Sequence, residues 1–252
     1  GFVDGDIDTA EFRAPDDVVA DKWGYLYVAD TMNNAIRMIN NETGVVTTLA
    51  GKGPDEKGPL DGACTDATFT EPRGLDVEVR TDDATGLETT VIVIADTGNH
   101  RIRRIDYVRD TGYCQVICFS GLCGNNTLSF TQLKTKATPY SGFADGAGII
   151  SRFSAPEGVA FMDGRYVAVA DTGNFLIRWI DDHGVTSTLA GEVIPGQADA
   201  DGNPAGGCAP PCLQGKHGFR DGNLTHSRFM NPVDVSRGVN NSLLVADEHR
   251  VR

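Results

Sequence analysis

The sequence predicts an all-β fold built from short antiparallel strands that recur along the chain. Three observations predict it. One template appears four times in register. Its apolar runs are short, β-branched and bounded by Gly, Asn and Asp. No long helical periodicity interrupts them, and Gly is abundant at 30 residues.

The template opens with G-x-x-D-G, at 1–5, 58–62, 142–146 and 218–222. A Phe follows the last Gly at a constant interval: Phe12, Phe69, Phe153 and Phe229. Then come Pro15, Pro72, Pro156 and Pro232, and an apolar run closing on Ala-Asp at Asp30, Asp96, Asp171 and Asp247. The Pro-to-Asp interval is 15 residues in the first, third and fourth copies and 24 in the second, where 81–90 is inserted. An apolar-Arg step follows at Arg37, Arg103, Arg178 and Arg252. Three copies end in TTLAG, ICFSG and STLAG. Such self-similarity is the mark of a repeat architecture.

Each copy reads as four strands. The first follows the Pro (Val18–Ala20, Leu75–Val79, Val159–Phe161, Val233–Val235), and the second ends at the Asp. The third carries the Ile/Val-Arg step, and the fourth spans Val45–Leu49, Val116–Phe119 and Val185–Leu189. A lone four-stranded meander leaves both faces exposed, and packing copies radially buries them, so the expected architecture is a β-propeller. The repeats fall at about 1–57, 58–141, 142–217 and 218–252, with insertions at 81–90, 122–141 and 192–217. That makes about 3.6 blades of one propeller segment. Residues 1–14 show no spare strand to close a four-bladed ring, so the segment reads as part of a larger propeller, from a longer or processed chain.

The repeated charges have structural roles in this reading. The Asp accepts N–H groups of its own turn, Gly98 and Gly173 supply positive φ there, and the Arg bonds the Asp or a carbonyl edge. The Phe plugs the core between blades. Recurrence in every copy favours internal fastening over a binding ring. In the fourth copy EHRVR follows Asp247, two residues shorter than elsewhere, and requires a different turn.

The segments VADTMNNAIRMI, IADTGNHRIRRID and VADTGNFLIRWID, flanked by PEGVAF and TLAG, resemble NHL repeats. The resemblance covers nearly the whole chain apart from its insertions. It implies a propeller that closes at six blades and a range of roles: interaction scaffolds, RNA readers, receptor modules and a few lyases. The lyases it brings in hold a central metal with His, and no first strand here contains His. RNA-reading members use a basic face, whereas 22 Lys+Arg against 35 Asp+Glu leave this chain at −13. Nucleic acid is therefore not expected as a partner. No membrane insertion is expected in this segment, since no apolar run approaches the ~18–20 residues of a spanning helix.

Cysteines and sequons point to an oxidising, secretory environment. Cys64, Cys114, Cys118, Cys123, Cys208 and Cys212 are the disulfide candidates. Cys114 with Cys118 is ruled out, because four residues of strand separate them by ~13 Å against a limit of ~7 Å. Cys208 with Cys212, Cys118 with Cys123, or Cys64 with either of the latter remain open. Zinc is disfavoured, Cys208, Cys212 and His217 being only a partial ligand set. N-x-S/T sequons stand at Asn41, Asn125, Asn223 and Asn240. No hydrolase, P-loop, metalloprotease or dinucleotide motif is present. His217 and His226 flank GFRDGNLT without a third ligand. Calcium is a softer reading: Asp199, Asp201 and Asn203 begin like an EF-hand loop, but Pro204 and Pro210 break it. Asp4, Asp61, Asp145 and Asp221 of the G-x-x-D-G turns are further calcium candidates with a simpler role in the turn.

The expectation is a non-catalytic extracellular scaffold of a secreted or cell-surface glycoprotein. It needs no cofactor and has other chains, further domains of its own chain, or glycans as partners. Two alternatives are a metal-dependent lyase- or hydrolase-like propeller enzyme, with its site in other blades, and an intracellular interaction module.

Overall fold

The computed structural model describes residues 1–123, 141–195 and 213–252. The chain divides into two compact units, Gly1–Cys118 and Phe119–Arg252. Both are built of antiparallel sheets of propeller-blade type, joined by short turns.

In the first unit, β1 (Gly5–Asp6), β2 (Asp17–Ala20), β3 (Leu26–Asp30), β4 (Ala35–Ile39) and β5 (Val45–Ala50) form a sheet in the order β1-β5-β4-β3-β2. The second sheet repeats that order with β6 (Gly62–Ala63), β7 (Pro72–Thr81), β8 (Glu88–Asp96), β9 (Arg101–Val108) and β10 (Tyr113–Ser120): β6-β10-β9-β8-β7. Alternation along the strands turns Tyr27, Ala29, Ile92, Ile94 and Ile105 into one core between the two sheets, which Phe69, from the segment ahead of β7, joins.

The second unit carries a four-stranded sheet of β11 (Val159–Met162), β12 (Tyr166–Asp171), β13 (Leu176–Asp181) and β14 (Thr186–Ala190). A ribbon of β15 (Val193–Pro195) and β16 (Leu213–Gly215) follows, then a three-stranded sheet of β17 (Pro232–Arg237), β18 (Leu243–Asp247) and β19 (Arg250–Val251). Its core gathers Ala160, Met162, Ala168, Ile177, Phe229 and Val235.

Three sequence expectations need correction. First, the blades of the first unit have five strands, not four. The tail of each G-x-x-D-G segment pairs with the fourth strand of its own repeat (Gly5↔Val46, Gly62↔Val116), and Gly146↔Thr186 forms the same contact as a single bridge. Residues 1–14 therefore do contain a strand. A two-residue strand that starts at a glycine with φ of +146° or +141° has no alternation to read.

Second, Gly98 and Gly173 do not carry the positive φ of the Asp-Thr-Gly-Asn turn. That turn is a 3₁₀ segment over 31–33, 97–99 and 172–174, and the left-handed residue is the next one, Asn34 (+53°), His100 (+54°) or Phe175 (+58°). Gly98 and Gly173 are glycine because of close approach. A Cβ on Gly98 would lie 2.6 Å from Thr70 Cγ2, and one on Gly173 2.5 Å from Ser154 Oγ.

Third, the buried Asp does not accept the backbone N–H groups of its own turn. Its partners are described next.

Candidate functional site

The repeated charges converge on one fastening cluster per blade. Asp30 Oδ1 accepts the Arg13 N–H at 2.8 Å, from the residue after Phe12. Thr70 to Asp96, Ser154 to Asp171 and Met230 to Asp247 repeat the bond at 2.8 Å each. Asp30 Oδ2 accepts Asn33 Nδ2 at 2.9 Å and Arg37 Nη1 at 2.8 Å. The Asn also donates to the opening Gly of its repeat: Asn33 to Gly1, Asn99 to Gly58 and Asn174 to Gly142. In the fourth blade, which lacks this Asn, a second backbone donor substitutes. Asn231 N–H reaches Asp247 Oδ1 at 2.8 Å, and Glu248 takes the left-handed position with φ +56°.

Each arginine is enclosed by its own repeat. Arg37 donates to the carbonyls of Glu11 and Val3 and to Asp4 Oδ1 at 2.6 Å. Arg103, Arg178 and Arg252 find Asp61, Asp145 and Asp221 at 2.7, 2.6 and 2.8 Å. The guanidinium lies between two rings: Phe2 and Phe12 on Arg37, Phe143 and Phe153 on Arg178, Phe219 and Phe229 on Arg252. Arg37, Arg103 and Arg178 have no solvent exposure, nor have Asp30, Asp96 and Asp171. A β-bulge at Ile36/Arg37 and at Ile177/Arg178 sits at the step that aims the side chain inward. Burial pushes the Asp96 and Asp171 carboxyls up, against the pull of Arg103 and Arg178. The G-x-x-D-G carboxylates weighed as calcium ligands thus face guanidinium groups. Among the described residues no three His, Cys, Asp or Glu side chains are grouped to hold a metal.

The remaining sequence candidates scatter. Cys64 is disulfide-bonded to Cys114, with Cα atoms 5.4 Å apart. That pairing is outside the combinations the spacing suggested. Cys64 follows β6, and the β6–β10 register (Ala63↔Gln115) brings it opposite Cys114, whereas the missing fifth strand hid the juxtaposition. Cys118 and Cys123 are also in disulfides. Asn41, Asn223 and Asn240 are exposed. Asn223 Oδ1 takes the His226 backbone N–H and lies 2.7 Å from His226 Nδ1, and His217 stands edge-on to Phe175. Burial, then Arg101, hold the His100 imidazole below its ordinary pKa. Asn125, Cys208, Cys212 and the Asp199, Asp201, Asn203, Pro204, Pro210 run lie outside the described residues. Among the described residues no helix is long and apolar enough to cross a membrane.

The insertion described along its whole length is the one at 81–90. It lengthens β7 and β8 into a hairpin paired from Pro72↔Asp96 out to Thr81↔Glu88. Asp82 caps the tip, its Oδ1 accepting the Ala84 and Thr85 N–H groups and the Thr85 hydroxyl. The base is tied to the neighbouring blade. Lys22 pairs with Glu88. Arg109 sits over the rings of Trp23 (4.3 Å) and Tyr25 (4.0 Å) and donates to buried Asp21 at 2.7 Å. Tyr27 donates to the same carboxylate, and burial followed by that charge drives the phenol pKa up. Thr90, Ile92 and Ile105 face the core. The opposite face, which alternation gives to Thr89, Val91, Arg104 and Asp106, lines an open groove of about 400 Å³ with Arg80 and Tyr113. Sequence reasoning marked the insertion but not the groove, whose lining comes from four strands spanning 80–113.

Antiparallel blades, each fastened by a buried Asp–Arg pair, define a β-propeller-type repeat protein, and the resemblance to NHL-repeat propellers is borne out. The chain is 36% identical over 110 residues to NHL repeat-containing protein 2 of Bos taurus and, equally, of Homo sapiens. The match takes in 42% of the chain and 14% of each relative, so the chain spans a small part of those proteins. Among solved structures it is similar in fold to an auxiliary nutrient binding protein of Bacteroides ovatus. That likeness has a TM-score of 0.57 at 18% identity, over 96% of this chain and 48% of the other. No family model matches the chain.

Proposed function

We propose that the chain is a non-catalytic interaction module of a secreted or cell-surface glycoprotein, making its contacts through departures from the repeat. One observation carries this reading. The repeated charged side chains are consumed inside their own blades, so what is left to offer a partner is the insertions, foremost the anchored hairpin at 81–90. The Cys64–Cys114 disulfide and the exposed sequons at Asn41, Asn223 and Asn240 favour the secretory compartment. N-linked glycans at those positions and at Asn125, protein or glycan partners and assembly into larger structures belong to the same proposal.

The test has two parts. The secreted chain is mapped by non-reducing mass spectrometry before and after N-glycan removal. Glycan on at least one sequon and an intact Cys64–Cys114 peptide are expected, while bare sequons and free thiols overturn the secretory assignment. Native extracts are then fractionated with the chain and with a variant whose residues 82–87 are cut to a two-residue turn. Co-elution with another chain that the shortened hairpin abolishes is expected. Elution alone in both cases overturns the interaction role.

A further inference from the structure

The groove on the face of the second blade opposite the core it shares with the first has the chemistry of a carbohydrate subsite, and we infer that it binds one neutral sugar residue of a glycan. The inference rests on the interaction reading and deepens it by naming a ligand class.

Four features of the groove support it. Its volume, about 400 Å³, lies within the ~300–1,000 Å³ of small-ligand sites. Its wall holds Tyr113, 54% exposed, an aromatic ring of the kind that packs on the polarised C–H groups of a pyranose. Val91 and Val108 add an apolar floor. Around that surface stand planar groups, the Arg80 and Arg104 guanidiniums and the Asp106 carboxylate, with the Thr89 hydroxyl. Pairs of planar donors and acceptors suit the adjacent hydroxyls of a sugar.

Charge selects against the other ligand classes. Arg80 pairs with Glu78, and Arg104 with Asp106 at 2.7 Å, so neither presents an uncompensated cation to a phosphate or sulfate. The acidic chain repels anions further. A lipid or apolar peptide would leave these charges without water or partner. Asp106 Oδ1 is buried and accepts no hydrogen bond, an acceptor that a small shift of the side chain can offer to a ligand hydroxyl. The groove is built in advance, since the Lys22–Glu88 pair holds the β7–β8 hairpin and the Arg109–Asp21 bond holds the β9–β10 turn, and strands of both wall it.

The isolated chain, labelled with ¹⁵N, is titrated with methyl α-mannopyranoside, methyl β-galactopyranoside, methyl β-glucopyranoside and methyl N-acetyl-β-glucosaminide, and separately with sodium sulfate. Saturable shifts of the 80–91 and 104–113 amides by at least one glycoside are expected. Tyr113→Ala should weaken that binding about tenfold, and Thr89→Val roughly threefold. Unchanged core amides at Ile92 and Ile105 show that each variant is folded. If no glycoside shifts these amides, if Tyr113→Ala binds as well as the parent, or if sulfate acts on them at lower concentration, the inference is wrong. Because no partner protein or attached glycan enters this experiment, its failure leaves the co-elution result standing.

Discussion

In the first blade the outer strand is held by side chains; in the second it is held by a covalent bond. Asp4 accepts the Thr48 N–H and hydroxyl at 3.0 Å each and the Arg37 guanidinium at 2.6 Å. Phe2 closes one face of that guanidinium and Phe12 the other. In the second blade Pro59 replaces the first Phe and Cys118 stands in the position of Thr48. Asp61 keeps its arginine, but the strand is tied by Cys64–Cys114. The blade that bears the long hairpin and its groove is the one with the covalent edge. A strand added to the end of a sheet gains few hydrogen bonds, so it needs a further fastening, and either chemistry provides one.

The largest effect should come from the element the two blades share. Arg37→Leu leaves Asp30 buried without its cation and should cost about 3–5 kcal/mol in urea unfolding. Arg103→Leu should cost a similar amount, and a loss under 1 kcal/mol for either would show the pair to be dispensable. The covalent difference comes next. The disulfide closes a separation of 50 residues, so Cys64→Ser with Cys114→Ser should lower stability by about 2–4 kcal/mol. Reductant should expose the Cys64 amide, which donates to the Cys114 carbonyl at 3.2 Å, to hydrogen exchange and leave Gly5 protected.

A third test contrasts the turns. Met32 occupies the first blade's equivalent of Gly98. Gly98→Ala drives a methyl toward Thr70 Cγ2 at 2.6 Å and should cost about 1–3 kcal/mol, whereas Met32→Ala should cost less than 1. The smallest effect is electrostatic. Partial burial works to raise the Asp4 pKa, but the Thr48 amide, Arg37 and the Thr48 hydroxyl together bring it below the ordinary carboxylate value. With the folded pKa below the unfolded one, its contribution is present above about pH 4 and is lost as pH falls through the folded value. Asp4 is half exposed, so no more than about 1 kcal/mol is at stake. Acid should open the Gly5–Val46 edge before the disulfide-tied Gly62–Val116 edge, as read by hydrogen exchange. Simultaneous opening would show that Asp4 fastens nothing.

The sequence by itself determined the register of the repeats, the second strand ending at the Asp, and the inward assignment of Asp30, Asp96, Asp171 and their arginines. These follow from local chemistry: alternation along a strand, turn residues, and recurrence of the same charges at the same interval. It also marked 81–90 as an insertion. Only the tertiary structure decided that Asp30 serves the N–H of Arg13 rather than the backbone N–H groups of its own turn, that Gly5 and Gly62 begin fifth strands, that Cys64 meets Cys114, and that Arg80, Thr89, Arg104 and Tyr113 line one groove. Each of those depends on which strand lies beside which. Pairing between distant segments is fixed by sheet topology and by the packing of one blade on the next, and neither leaves a periodic trace in the residues it brings together.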